Sequence, residues 1–111
     1  MYTFIETYAF TALAQKLINQ EEHDELTAWL INHPESGDLI PGGGGIRKLR
    51  IALRGTGKSG GARVIYFFIN HLGQIYLLLI YPKSKKENID DKTKAALKQL
   101  AKEIQNDPIN Q

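Results

Sequence analysis

The hydrophobic positions near the N-terminus change from a strand pattern to a helical one. Residues 2–5 are typical of a short strand, and beyond Thr7 the apolar side chains follow helical spacing as far as Ile18. A second helix is predicted to begin at residues 19–22, where acids stand in the first turn, and to end before Pro34, which disfavours helix in the residue preceding it. The two helices are expected to form a hairpin.

Strand patterns fill the middle of the chain, after the glycine-rich break at residues 41–45. Residues 48–54 alternate between apolar and basic side chains, which predicts a strand with one apolar face. Residues 63–69 and 75–81 are continuously apolar, as expected for central strands covered on both faces. A turn at residues 70–73 makes these two strands an antiparallel hairpin.

A third helix completes the predicted fold. Apolar residues between 97 and 104 follow helical spacing, and one of Asn88, Asp90 and Asp91 is expected to cap this helix. We predict one α+β domain over residues 1–111, in which an N-terminal helical hairpin and a C-terminal helix pack on a small antiparallel sheet. Trp29 is assigned to its core.

The charges are segregated along the chain. Residues 1–45 contain seven acids and one lysine, whereas residues 46–86 contain nine Lys or Arg and no Asp or Glu. A positive field without interspersed carboxylates costs self-repulsion and favours a polyanionic partner. The alternative is that these cations only cover the solvent face of an antiparallel sheet.

Several classes of protein are disfavoured by composition. The chain has no Cys, so disulfides and thiolate metal sites are excluded. The apolar stretch 75–81 is too short to span a bilayer, and the N-terminus does not resemble a signal peptide, so we expect a soluble cytoplasmic protein. His23, His33 and His71 have no ligand spacing, so we expect no metal and no cofactor.

The alternating strand carries the candidate chemistry. Lys48 and Arg50 are two residues apart and should project from the same sheet face, roughly 7 Å apart. Arg63 begins the neighbouring strand and should come beside them. The basic residues after the last strand, Lys83, Lys85 and Lys86, should lie at the same end of the sheet.

A second motif is rejected. Residues 52–59 match a relaxed phosphate-loop pattern, but such a loop leads into a helix, and here an apolar strand follows. Residues 55–61 are interpreted instead as a flexible basic flap. Tyr66 and Tyr81, within apolar strands, are expected in the core or at its rim rather than in catalysis.

Two sequence strings, GGIRKLR at residues 44–50 and GKSGGARVIY at residues 57–66, carry a resemblance to a known family. Together with the order of the elements, they resemble the RelE/ParE superfamily of toxins, and within it the HigB-like branch. The resemblance extends over nearly the whole chain. It implies a toxin that enters the ribosomal A site and cleaves mRNA without a metal, through attack by the 2′-hydroxyl and formation of a 2′,3′-cyclic phosphate.

The resemblance also implies roles for residues. Lys48 and Arg50 match the paired basic residues of the family's active strand, and Arg63 matches the arginine that stabilises the transition state. The tyrosine that often follows the C-terminal basic group is absent, and Asp90 stands about where it would be. A lysine among several cations has its ammonium form disfavoured, so Lys48 is assigned to proton transfer. The residues predicted to bind RNA are Arg47, Arg54, Lys58, Lys83, Lys85 and Lys86.

The partners implied are the ribosome, mRNA and a DNA-binding antitoxin encoded next to the toxin. Two alternatives stay open: a non-enzymatic inhibitor of DNA gyrase, as among ParE relatives, and a plain nucleic-acid-binding module. The prediction requires the three catalytic cations to meet in one pocket. Their placement on opposite sides of the sheet, or their locking into carboxylate pairs, would end the case for it.

Overall fold

The computed structural model describes residues 2–54 and 60–107. Three α-helices accompany five strands within these ranges, and a short 3₁₀ helix (Asn70–Leu72) connects the last two strands. In chain order they are β1 (Thr3–Glu6), α1 (Tyr8–Leu17), α2 (Gln20–Asn32), β2 (Asp38–Leu39), β3 (Arg47–Ile51), β4 (Ala62–Ile69), β5 (Gln74–Pro82) and α3 (Asp91–Asn106). The predicted α+β class is confirmed.

The five strands form one sheet in the order β1-β5-β4-β3-β2. The pairs from β2 to β5 are antiparallel, as predicted, but β1 runs parallel to β5, so the sheet is mixed. The two-residue strand β2 was not predicted, because two residues are too few to show a period.

The helices cover both faces of the sheet. Helices α1 and α2 supply Phe10 and Leu30 to a core on one face, where they join side chains such as Tyr66. Helix α3 packs on the other face, where Ala101 lies in a core with Ile65 and neighbouring side chains. Strands β4 and β5 are therefore buried on both sides, which accounts for their continuous apolar runs.

Each helix begins at a polar cap. Thr7 and Asp90 accept hydrogen bonds from the backbone N–H groups of Phe10 and Thr93, and Asn19 and Glu22 form a reciprocal capping box. Asp90 is thus the cap among the three candidates. Hydrogen bonds from the side chain and then the backbone N–H of Thr93 hold the pKa of Asp90 below its usual value.

Two expectations, one about β3 and one about α2, are wrong. Strand β3 ends at Ile51 rather than at residue 54, so its alternation does not extend to Arg54. Trp29 is not in the core but is 49% exposed, because its indole N–H donates to Ser36 Oγ (2.9 Å) and its ring lies against His33.

A strand, β4, follows the glycine-rich loop where a phosphate loop would require a helix, so the rejection of that motif is confirmed. The centre of the predicted flap, including Lys58, lies outside the described residues. Within the described ranges, none of the helices has the length and apolar composition needed to cross a membrane.

Candidate active site

The three predicted catalytic cations lie on one face of the sheet, the face that α3 covers. Lys48 and Arg50 alternate with the side chains that face α1 and α2, and Arg50 is the direct cross-strand partner of Arg63. Direct partners in an antiparallel pair project to the same side. The three cations are therefore not on opposite sides of the sheet, although the cavity described below is lined by Lys48 and not by Arg50 or Arg63.

Arg63 is held rigidly at the start of β4. Its side chain is only 6% exposed. The Nη1 group donates to the carbonyls of Gly60 (2.9 Å) and Ala62 (3.2 Å), and Nη2 donates to Glu87 Oε2 (2.7 Å). Its Nε is buried without a hydrogen-bond partner among the described residues. A guanidinium fixed in this way is oriented before any ligand arrives.

Gly61 makes the turn that leads into β4 possible. Its φ of 69° lies in the left-handed region, and a Cβ built on it would overlap the carbonyl oxygen of Ile51. The Gly61 carbonyl accepts from the backbone N–H of Lys83 (2.9 Å), which joins the start of β4 to the end of β5. Close backbone approach therefore brings the Arg63 end of β4 next to the C-terminal basic segment.

Glu87 is the carboxylate at the centre of the site. Besides Arg63, its Oε1 lies 3.7 Å from Lys48 Nζ and 3.6 Å from Arg50 Nη2. Lys48 also donates to Asn88 Oδ1 (2.6 Å). Three cations thus share one carboxylate, so the four side chains together keep a formal charge of +2. The second condition, that the cations are not locked into carboxylate pairs, is met only in part. All three contact Glu87, but one carboxylate does not neutralise three cations.

Charge and hydrogen bonding set the protonation of Glu87. The hydrogen bond from Arg63 is the largest influence and holds the pKa of Glu87 below its usual value. Burial acts in the opposite direction, and the charges of Arg63, Lys48 and Arg50 lower the pKa further. Glu87 is therefore an anion at neutral pH.

Tyr81 reaches the same face through a β-bulge. The register of β4 and β5 shifts between Ile65 and Tyr66, where Leu78 is left without a direct partner. The extra residue changes which side chains face α3, so Tyr81 lies opposite Arg63. Its hydroxyl donates to the Glu87 carbonyl (3.1 Å). Burial, together with the Glu87 charge, raises the pKa of Tyr81.

A cavity of about 340 Å³ opens beside Lys48. Tyr81 and Ile89 give it apolar surface, and Asn88 and Asp38 give it polar groups. Asp38 is the direct cross-strand partner of Lys48. The site thus combines a cationic centre with an adjoining space of mixed polarity.

The predicted RNA-binding residues divide into three groups. Arg47 and Arg54 lie apart from the cationic centre: Arg47 donates to the Glu35 and Gly37 carbonyls (3.0 and 2.8 Å), and Arg54 pairs with Glu25 of α2. Lys58 lies outside the described residues. The third group, exposed next to the end of β5, is Lys83, Lys85 and Lys86.

Lys86 borders the site, since its Nζ is 5.2 Å from the centre of the Tyr81 ring. Residues 46–86, the basic block, contain no acid of their own, but the expectation that no acid neutralises them is wrong. Glu25 and Glu35, from the acidic first part of the chain, and Glu87, directly after the block, fold against it.

The sequence prediction missed Glu87, Asn88 and Tyr81 as site residues. Glu87 had one available signal, since it is the first acid after the basic block. Within the described ranges, no group of three or more His, Cys, Asp or Glu side chains could hold a metal ion. His23 lies elsewhere and contacts Glu6 (2.6 Å).

The chain was compared with known families and solved structures. Residues 25–110 match the family model described as the RelE toxin of the RelE/RelB toxin–antitoxin system. The chain belongs to the RelE toxin family. The match spans β3, β4 and β5 and therefore includes every cation of the site.

Solved structures of E. coli proteins share the RelE fold. A chain of the intact E. coli RelBE toxin–antitoxin complex matches with a TM-score of 0.57 at 16% identity, over 74% of this chain and 96% of that one. The isolated E. coli RelE toxin matches with a TM-score of 0.54 at 15% identity, over 90% and 99%. A free E. coli RelE mutant, in which two arginines are replaced by alanine, matches with a TM-score of 0.54 at 15% identity, over 77% and 86%.

Proposed function

We propose that this RelE-family toxin is a ribosome-dependent endoribonuclease that cleaves mRNA in the ribosomal A site and thereby inhibits translation. We assign it to the HigB-like branch, to which the strings at residues 44–50 and 57–66 are similar. The cationic centre formed by Lys48, Arg50 and Arg63 carries the proposal. Such a centre, with a net positive charge and a rigid arginine, suits a phosphodiester whose negative charge grows during reaction.

The proposed reaction needs no metal and no water. The 2′-oxygen loses its proton and bonds to phosphorus, the bond from phosphorus to the 5′-oxygen breaks, and that oxygen takes up a proton. The products are a 2′,3′-cyclic phosphate and a 5′-hydroxyl end. Arg63 and Arg50 stabilise the charge on the non-bridging oxygens, and Lys48 takes part in proton transfer, which a permanently charged guanidinium cannot do.

The proposed partners follow from this activity. The toxin acts on mRNA within the ribosome and is held inactive by an antitoxin encoded next to it, which carries a DNA-binding domain. The site of action is the cytoplasm. Lys83, Lys85 and Lys86, exposed at the end of the sheet beside the centre, are proposed to contact the RNA backbone.

A translation extract tests the function directly. Purified protein is added to an extract programmed with a defined message, and the 5′ ends are mapped by primer extension. We expect breaks in phase with codons on the translated message and none on the same RNA when initiation is blocked. Intact mRNA would exclude the ribonuclease and leave the gyrase inhibitor or the binding module.

Arg63 provides the sharpest variant. We expect Arg63→Ala to lower the cleavage rate by about 10²–10³-fold, the usual effect of removing a preorganised charge-stabilising group. Because Arg63 is buried and holds two carbonyls, circular dichroism must show that the variant is folded. Arg54→Ala is the control, since Arg54 lies apart from the cationic centre, is exposed and pairs with Glu25, and we expect it to leave the cleavage rate unchanged. Full cleavage by Arg63→Ala would contradict the proposed site.

A further inference from the structure

Glu87 occupies the position where the three cations of the site converge. Its two oxygens divide the contacts: Oε2 accepts from Arg63, and Oε1 lies within 3.7 Å of both Lys48 and Arg50. A carboxylate and the two non-bridging oxygens of a phosphodiester present similar pairs of anionic acceptors to a guanidinium. The carboxylate therefore lies where a substrate phosphate would find the same partners.

Arg63 offers the site only one of its guanidinium nitrogens. Its Nη1 is used by the Gly60 and Ala62 carbonyls, and its Nε is buried among protein atoms. Nη2 is the nitrogen directed at the site, and Glu87 accepts its hydrogen bond. Nη2 carries two N–H groups, so a phosphate that approaches Arg63 would share this nitrogen with the carboxylate and meet its negative charge at close range.

The surroundings of Glu87 allow its side chain to leave while its backbone stays. The side chain is 36% exposed and lies in the irregular segment between β5 and α3. Its carbonyl oxygen is held by the Tyr81 hydroxyl, and Asp90 three residues later fixes the start of α3. Rotation of the side chain alone would carry the carboxylate into solvent.

We infer that Glu87 is an internal competitor for the phosphate-binding position, and that RNA binds productively only when this carboxylate is displaced from Arg63. The inference rests on the proposed function. It gives Glu87 a restraining role: its charge lowers the affinity of the site for free RNA, and a correctly placed phosphodiester replaces it. Because the Glu87 side chain is partly exposed where it lies, solvent screens its interactions with the cations, and the free-energy cost of displacing it is modest.

The test measures binding of a short single-stranded 2′-O-methyl RNA, which keeps every phosphate but cannot be cleaved. Fluorescence anisotropy at low salt is carried out on the wild type, Glu87→Gln and Glu87→Ala. We expect both variants to bind roughly tenfold more tightly, because the competing charge is gone. Glu103→Gln is the matched control: Glu103 is exposed on α3, contacts Gln99 and produces the same change of net charge. We expect it to change the affinity less than about twofold.

Unchanged or weaker binding by both Glu87 variants would overturn the inference. So would loss of single-turnover cleavage in Glu87→Gln with unchanged affinity, since Glu87 would then be a proton acceptor in the reaction. Arg50→Ala separates this failure from failure of the proposed function, because Arg50 is 66% exposed and its removal leaves the core intact. If Arg50→Ala weakens binding and Glu87→Gln does not strengthen it, the inference alone fails. If Arg50→Ala has no effect, the proposed RNA site fails, and the inference with it.

Discussion

Lys48 differs from the two arginines of the site at the level of a single side chain. All three supply positive charge, but only the lysine can exchange a proton at accessible pH. We expect Lys48→Arg to bind the 2′-O-methyl RNA within about threefold of the wild type and to lose cleavage by about 10²-fold or more. Lys48→Met should lose both. The two readouts are the single-turnover rate of mRNA cleavage on ribosomes and the fluorescence anisotropy of the 2′-O-methyl RNA.

If Lys48→Arg cleaves at the wild-type rate, the lysine acts only through its charge. Proton transfer would then have to be assigned elsewhere in the site. The cavity beside Lys48, with Asn88 and Tyr81 on its walls, would be the place to look for the responsible group.

The residues of the site were predictable only where a regular period positions them. Strand alternation was enough to place Lys48 and Arg50 on one face. Glu87 lies in an irregular segment, far along the chain from Lys48, and no period links such a residue to a strand. Trp29 was misplaced because helical spacing put it in one apolar stripe with Leu26 and Leu30, whereas its indole N–H donates to Ser36 at the surface.

At the level of elements, the start of β4 depends on a glycine. Gly61→Ala would need a left-handed backbone and would also press Cβ against the Ile51 carbonyl. Gly42 is the matched control, since its φ is also 69° but nothing lies within 4 Å of its Cβ position. We expect the free energy of unfolding to fall by about 1 kcal/mol for Gly42→Ala and by about 3 kcal/mol for Gly61→Ala.

Urea denaturation of the two alanine variants measures this difference. Equal losses of stability would show that backbone strain, not the close approach of β3 and β4, decides the cost at Gly61. In that case Gly61 would not be the residue that sets the position of Arg63.

The elements themselves were largely predictable, whereas their junctions were not. Three helices and the β4–β5 hairpin follow from period and caps. The bulge at Leu78 leaves no trace in an unbroken apolar run, yet it decides that Tyr81 faces Arg63. The end of β3 at Ile51 was missed because Arg54 continues the alternation, although it turns toward Glu25 on α2.

Across the whole molecule, acids that fold against the basic block affect stability at low pH. Arg54 holds the pKa of Glu25 below its usual value, and Arg63 does the same for Glu87. The pKa of Asp90 is lowered by its hydrogen bonds with Thr93. The unfolded chain therefore binds more protons than the folded one in acid. We expect the free energy of unfolding to be level above about pH 5 and to fall below about pH 4.3.

Denaturation midpoints measured from pH 3 to 7 check this dependence. Glu87→Gln should show a shallower decline than the wild type, because it removes one of the three carboxyls. An identical decline in the two proteins would mean that the contacts of Glu87 with Arg63 do not persist in solution.

The positions of the cations relative to the site predict which face of the molecule meets RNA. Each phosphate contact to a single strand adds about 0.7 to the slope of log affinity against log salt. Arg50→Gln and Lys86→Gln should each lower that slope by about 0.7, since both cations border the site. Arg47→Gln and Arg54→Gln should leave it unchanged, because those guanidiniums lie apart from the site and contact Glu35 and Glu25 instead. Titrations of the 2′-O-methyl RNA between low and moderate salt provide the slopes. A loss at Arg54→Gln as large as at Arg50→Gln would mean that the RNA also crosses the α2 side of the sheet, where the basic block would then have a second contact surface.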